Sequence, residues 1–409
     1  MKHRRLPFPS IVPVAAGFLA ALLPLAAADW PHWLGPAGDN IAPASDKFVP
    51  DLAKWKVAWK GNVGLGYSAV TVAGGRAYTL GHDAKAQETV FCFDAATGAV
   101  VWKHSYEAQL LPKMHPGGPN ATPTVVGDKL ITLSKDGQVF CFDAAKGTVL
   151  WKASLDEAAE LKLPNWGFAS SPVVDGGRVL FAAGKVAALD LATGKPLWSS
   201  KTVYQAGYTT AVVFARDGKK FIAALDGKGL SVLDAADGTE IARHPFKAMF
   251  DMNGTTPYAL SGGKRLFLSS NTGAEMLDFD GKTLASAWTS TEVKNAMNNS
   301  LILGGVLYGI DGKQGTPGSR FVSVDLSTGK ANWAQAGFGF GTTIGIGTST
   351  VLALTEGGEL VTIKASKEAF GEISRLQVLG KTCWTTPVHA GDRIYVRNDR
   401  GDLVCLSAS

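Results

Sequence analysis

The sequence predicts an all-β chain folded as an eight-bladed β-propeller of four-stranded antiparallel meanders. Three observations carry that prediction. First, a string repeats: FCFDAATGAVVW at residues 91–102 returns as FCFDAAKGTVLW at 140–151. Weaker copies end at Trp198 (KVAALDLATGKPLW), Ile241 (GLSVLDAADGTEI), Trp288 (AEMLDFDGKTLASAW) and Trp333 (RFVSVDLSTGKANW). Second, most copies follow a lead of small polar residues, often with proline, then a short apolar strand, a Gly turn and another strand. ATPTVVGDKLITL (121–133) and SSPVVDGGRVLFA (170–182) are examples. Together the two signals make a unit of about 45 residues, the length of a propeller blade. Third, the composition is 46% hydrophobic and 18% charged, with 48 glycines, which suits a large core crossed by many turns.

The elements follow in chain order. Residues 1–28 read as a secretory signal peptide: Lys2, His3, Arg4 and Arg5 precede an apolar run from Ile11 to Leu25, and Ala26-Ala27-Ala28 ends it. Removing them takes Lys2, Arg4 and Arg5 and no acid from 40 basic and 35 acidic residues, so the remainder is near neutral. A concentrated basic face for nucleic acid is not indicated. No later stretch reaches the roughly 18 continuous apolar residues of a membrane span. The propeller domain is expected over 29–409, with a leading segment and closing strand at 30–60 and repeats from 61 onward.

Eight third strands are expected, at 89–93, 138–142, 185–189, 229–233, 274–278, 320–324, 359–363 and 402–406. Val90-Phe91-Cys92-Phe93 is apolar at successive positions, as a strand buried on both faces requires. The last unit lacks a fourth strand, and KWKVAWK (54–60) supplies one, which closes the ring. Seven blades is the alternative, should 343–370 or 255–288 fall short of a full blade.

Inside each unit, Asp94, Asp143, Asp190, Asp234 and Asp325 open Asp-x-x-Thr-Gly-type turns and are structural, because equivalent residues of different blades cannot converge. Trp102, Trp151, Trp198, Trp288 and Trp333, with Trp59 in the closing strand, anchor one blade against the next. Cys92, Cys141 and Cys405 share a slot for a small buried side chain, Cys383 lies in a loop, and no disulfide is expected. The seven histidines show no metal spacing, and no nucleophile elbow or P-loop is present. GFGFGTTIGIG (337–347) imitates a phosphate loop but has no helix after it, and reads as a flexible connection.

Function is therefore sought in the loops. Those joining one blade to the next carry Asn120, Trp166, Tyr208, Asn253, Asn299 and Trp384, the candidate binding residues of the funnel face. Turns between second and third strands share that face and carry His82, Asp83 and Asp311. Aromatic and amide groups around a funnel suit a protein segment or a flat or sugar-like ligand. They form no acid–base pair, so no catalytic residue and no metal ligand is assigned.

The repeat G-x-V-x-A-L-D-x-x-T-G-x-x-x-W, best matched by KVAALDLATGKPLW, resembles the PQQ-like β-propeller repeat family. The stretch Trp30-Pro31-His32-Trp33-Leu34-Gly35-Pro36 is similar to the WPxWRGP start of secreted bacterial members, with Leu34 in place of arginine. The resemblance implies one of two functions. Quinoprotein dehydrogenases hold PQQ and calcium in the funnel, with an adjacent cysteine pair, a stacking Trp and a catalytic Asp. This sequence has no adjacent cysteine pair and no recognisable calcium-binding carboxylates. BamB-like proteins keep the propeller without cofactor and serve as protein-binding scaffolds in outer-membrane protein assembly. This chain resembles them in size, and departs in lacking a lipobox cysteine and in its eight plain repeats.

The expectation is an exported bacterial protein, periplasmic or extracellular, acting as a non-catalytic scaffold. Its partner is a protein or another envelope macromolecule, with no nucleic acid, no cofactor and no membrane anchor after signal removal. A PQQ-dependent dehydrogenase, carrying PQQ and calcium, is the alternative, and another enzyme using the funnel face is a third reading.

Overall fold

Each repeat forms its own antiparallel sheet in the computed structural model, which describes residues 29–316 and 318–408. The expected signal peptide lies outside the described residues. Blade 1 runs outward from Thr71–Ala73 through Arg76–His82 and Gln87–Asp94 to Val100–Glu107. Blades 2 to 6 repeat this order over 124–154, 173–199, 212–245, 258–290 and 301–335. Blade 7 spans 341–377, and blade 8 comprises Val388–Ala390, Arg393–Arg397, Asp402–Ala408 and, outermost, Trp55–Asn62 from the start of the chain. There are eight sheets, so the seven-blade alternative falls.

The third strands are buried on both faces, as their unbroken apolar runs require: Val139 to Phe142 are all buried. Outer strands alternate instead, and in Val100–Glu107 half-buried residues follow exposed ones. GFGFGTTIGIG is a correction. Gly341–Ile346 is the innermost strand of blade 7, with every residue buried, and only the residues before it form a loop. Its small residues make room. A Cβ on Gly345 would lie 3.1 Å from Leu301 and 3.2 Å from Ile41, which packs here from the N-terminal segment.

The repeated string has a mechanical reading. Asp94 Oδ1 accepts from the Ala96 and Thr97 N–H groups and from the Thr97 hydroxyl, which builds the turn. Gly98 follows at φ 72°, directly beneath Trp59 of the preceding blade, where a Cβ would sit 2.5 Å from the indole. The Trp59 Nε1 donates to the Ala95 carbonyl at 3.1 Å. Trp102, Trp151, Trp288 and Trp333 donate in the same way to Ala144, Leu191, Leu326 and Ser366 of their next blades. The cysteine slot faces the tryptophan: Cys92 pairs with Trp102, Cys141 with Trp151 and Cys405 with Trp59 across the sheet. In other blades the same slot holds Ala188, Ser323 and, opposite Trp288, Met276. All four cysteines are free and buried.

Two features close the ring. Trp55–Asn62 pairs antiparallel with Asp402–Ala408. Arg397, fully buried, reaches from blade 8 to donate to the carbonyls of Ser68, Leu80, Gly64 and Gly66 and to the Thr79 hydroxyl. The segment before the closing strand is more than a leader. Trp30 pairs with Val72 of blade 1, and the Pro31 carbonyl accepts from Val125 of blade 2. Trp33 donates to Thr256 of blade 5 at 3.0 Å, and Asn40 to the Thr343 carbonyl of blade 7 at 2.6 Å. Residues 30–42 thus cross the ring of innermost strands and plug the central channel.

Candidate functional site

The channel wall is built by the small polar residues that lead each repeat. The Ala69 N–H donates to Thr122 Oγ1, Thr122 N–H to Ser171 Oγ, and Ser171 N–H to Thr210 Oγ1. From blade 1 to blade 4 each innermost strand is thereby tied to the next by a hydroxyl, which explains why these positions stay small and polar. Above this girdle the inter-blade loops and the turns between second and third strands share one face: Leu65 bridges His82, and Asn295 bridges Gly312.

On that face, four of the six candidate residues form one chain of contacts across blades 2 to 5. Asn120 Nδ2 donates to the Trp166 and Phe168 carbonyls at 3.4 and 3.5 Å. The Trp166 N–H donates to the Tyr208 hydroxyl, and their rings meet edge to face at 5.6 Å. The Tyr208 N–H donates to the Asn253 carbonyl at 2.8 Å, and Asn253 Nδ2 reaches the Asp226 carbonyl at 2.7 Å. Asn253 is fully buried, and its Oδ1 has no partner. Asn299 lies one blade further on and clamps Thr256 by accepting from its N–H and donating to its carbonyl. Trp384 stands apart on blade 8. Its Nε1 donates to Glu356 at 2.6 Å, and its ring stacks on Tyr67 at 5.5 Å. The amides are therefore fasteners between loops. His82, Asp83 and Asp311 are likewise engaged internally: His82 with Ala108 and Ala84, Asp83 with three backbone N–H groups, and Asp311 with Arg320.

Sequence reasoning missed a buried charged group beside this chain. Glu88 accepts from the Lys135 N–H at 2.9 Å and from the Tyr106 hydroxyl at 3.0 Å. Burial pushes its carboxyl up to about 7 and the Lys135 amine down to about 7. Lys135 Nζ has no hydrogen-bond partner, and its stem runs beneath Gly167, where a Cβ would meet Cε at 2.8 Å. His115, edge-on to Tyr67 at 5.3 Å, is pushed down to about 4 by burial and by the Lys135 charge. The turn Ser134-Lys135-Asp136-Gly137 looked like any polar hairpin, and nothing local announces that its lysine is buried.

Large apolar side chains stand exposed on the same loops. Met114 is 92% and Phe250 78% exposed, and Leu163, Val203 and Met249 join them over blades 2 to 5. Phe250 adopts φ 59°, an uncommon conformation for an aromatic residue.

The family model described as outer membrane protein assembly factor BamB matches residues 85–335, more than half of the chain. The chain belongs to this family. Among solved structures it is similar to BamB from Moraxella catarrhalis (TM-score 0.59, 15% identity, 85% of this chain and 100% of that chain covered). It is also similar to the quinohemoprotein alcohol dehydrogenase from Comamonas testosteroni (TM-score 0.71, 13% identity, 93% and 80% covered). A europium-containing methanol dehydrogenase superposes with TM-score 0.61 at 10% identity, covering 93% and 98%. At these identities the likeness shows the fold alone. No curated protein sequence matches the chain.

PQQ and calcium, which the resemblance to quinoprotein dehydrogenases implies, would need oxygen ligands and an open stacking face. Among the described residues no three His, Cys, Asp or Glu side chains group to hold a metal ion. Cys92 and Cys141 sit in separate blades, each buried and free. One face of the Trp384 indole is already covered by Tyr67. No helix among the described residues is long and apolar enough to cross a membrane.

Proposed function

We propose that this protein is an exported, non-catalytic scaffold that binds a protein partner in envelope assembly through the face bearing its inter-blade loops. The observation that carries the reading is the arc of exposed apolar side chains from Met114 to Phe250, projecting from loops whose bases are fastened together. Solvent-exposed apolar side chains gathered on one face mark interaction surfaces. The candidate residues Asn120, Trp166, Tyr208 and Asn253 support it by fixing the shape of that surface. Asn299, itself buried, fastens the next seam, and Trp384 lies half-buried on blade 8. The family match supports the partner class. The dehydrogenase reading has fold likeness alone behind it.

A photo-crosslinking residue placed at Phe250 tests the proposal in intact cells. Adducts to an envelope protein are expected, and Met114→Glu should reduce them about tenfold. Adducts absent at Phe250, or present there but unaffected by Met114→Glu, would sink the reading. Dye reduction with alcohols on adding PQQ and calcium would favour the dehydrogenase instead.

A further inference from the structure

The outer strand of every blade is interrupted at one place. Directly before the seam tryptophan, or the residue in its position, one residue has no partner on the neighbouring strand and forms a β-bulge. A bulge takes its residue out of the pleat and re-aims the side chain. The bulge itself belongs to the fold, since all eight blades have it. What it displays differs around the ring. At the bulge and the position before it, blades 8, 1, 2 and 3 carry Val57-Ala58, Val100-Val101, Val149-Leu150 and Pro196-Leu197. Every Val and Leu of these pairs is at least 40% exposed. Blades 4 to 7 carry Glu240-Ile241, Ser286-Ala287, Ala331-Asn332 and Glu372-Ile373 there.

Lysines accompany the apolar pairs. Lys60, Lys103 and Lys152 each follow the tryptophan of their strand, are exposed, and pair with no carboxylate among the described residues. Blades 4 and 7 also have a cation at that position, but Arg243 is held by Asp226, and Arg375 by Glu359 and Glu372. The outer strands of blades 8, 1, 2 and 3 contain one acid, Glu107, at their other end. The nearby Asp94, Asp143 and Asp190 are bound into their own turns. The arc is therefore a basic and apolar rim beside those turns. Because the strands of each blade alternate in direction, this end of the ring is opposite the loops of Met114 and Phe250.

Chemistry selects what the rim meets. Lysines on edge strands hinder pairing with another chain, but that role does not call for exposed Val and Leu beside them. Protein interfaces are poor in lysine, and their strongest contacts come from Trp, Tyr and Arg rather than Val or Leu. A bilayer surface suits this set. Aliphatic side chains enter between the headgroups, and lysine stems run alongside while the ammonium groups meet anionic phosphates. One pattern repeated over adjacent blades fits so uniform a partner, and Glu240 and Glu372, which bound the arc in blades 4 and 7, would be repelled by it. We propose that this rim docks peripherally on an anionic phospholipid bilayer. The site is separate from the loop face, which it turns away from the bilayer, and does not rest on the partner-binding reading.

The test is co-sedimentation of the purified protein with vesicles of phosphatidylethanolamine and phosphatidylglycerol, against vesicles of phosphatidylcholine alone. Binding to the anionic vesicles is expected. It should fall about tenfold or more when Lys103→Gln is combined with Lys152→Gln, and likewise when Val101→Asp is combined with Leu150→Asp. Ala287→Asp and Asn332→Asp, at the equivalent bulges of blades 5 and 6, should leave it unchanged. A fluorophore attached at Val101→Cys should be quenched by spin-labelled lipid, and one at Ala287→Cys should not, which locates the contact without removing a charge. The proposal is overturned if both kinds of vesicle bind alike, if either double variant binds like the wild type, or if the label at position 101 is not quenched. A dimer in sedimentation velocity that Val101→Asp dissolves would give the rim to a second copy of the chain, and would overturn it equally.

Discussion

Gly98, Gly147, Gly194, Gly238 and Gly329 all hold φ between 71° and 74° beneath a tryptophan. Two costs meet there on substitution, left-handed strain and collision with a ring. Gly147→Ala should lose about 3 kcal/mol in urea unfolding, whereas Gly74→Ala, at φ 56° with nothing near its Cβ, should lose about 1 kcal/mol. His389 packs edge-on to Phe48 and Trp55 with a buried, unpartnered Nε2, and burial pushes its imidazole down to about 4. The folded state then binds fewer protons than the unfolded state between pH 4 and about 6.5, so stability falls as pH is lowered through that window. The full effect is about 3 kcal/mol, and His389→Phe should flatten that part of the stability–pH profile. His115 adds a slope of the same sign, and Glu88, pushed up to about 7 by burial, adds one of opposite sign above about pH 4.5. Burial raises the thiols of Cys92, Cys141 and Cys405 to about 11. Thiol reagents should label none of the four cysteines before unfolding, and reductant should not shift the melting temperature.

At the scale of strands, closure depends on two elements from opposite ends of the chain. The pairing of Trp55–Asn62 with Asp402–Ala408 was legible, because the last repeat lacks an outer strand and the chain start has one spare. The Arg397 clamp was not, since an arginine at a strand end looks solvated until the tertiary structure buries it. Arg397→Met should cost about 3 kcal/mol, as it removes five hydrogen bonds and a donor to the buried Leu80 and Gly66 carbonyls. Ile373→Ala, on the exposed face of the blade 7 outer strand, should be nearly neutral in the same thermal melt. Blade 7 was the least legible. Its innermost strand is rich in Gly and Thr because the N-terminal segment packs on it, so local composition spoke for a loop where a neighbour had made a strand.

Over the whole molecule, one end of the channel is plugged by residues 30–42 and the other carries the exposed loops. Exposed lysines Lys113, Lys162, Lys201, Lys247 and Lys381 rim that face. Partner crosslinking should therefore weaken as salt rises from about 0.1 M to 0.5 M, over which screening shortens to a few ångströms. The inter-blade loops were legible as the place to look, because they are where the repeat stops. Their internal fastening was not, since Asn253 and Asp226 approach only when adjacent blades pack.

The sequence by itself determined the repeat, the turn and tryptophan chemistry within each copy and the strand that closes the ring, and it left the count at eight or seven. These follow from local periodicity and from contacts between equivalent positions of neighbouring copies, which one repeat unit already encodes. Only the tertiary structure decided that residues 30–42 fill the channel and that Lys135, Glu88 and Arg397 are buried. Each depends on segments far apart in the chain meeting across the ring, and no periodic signal records such a meeting.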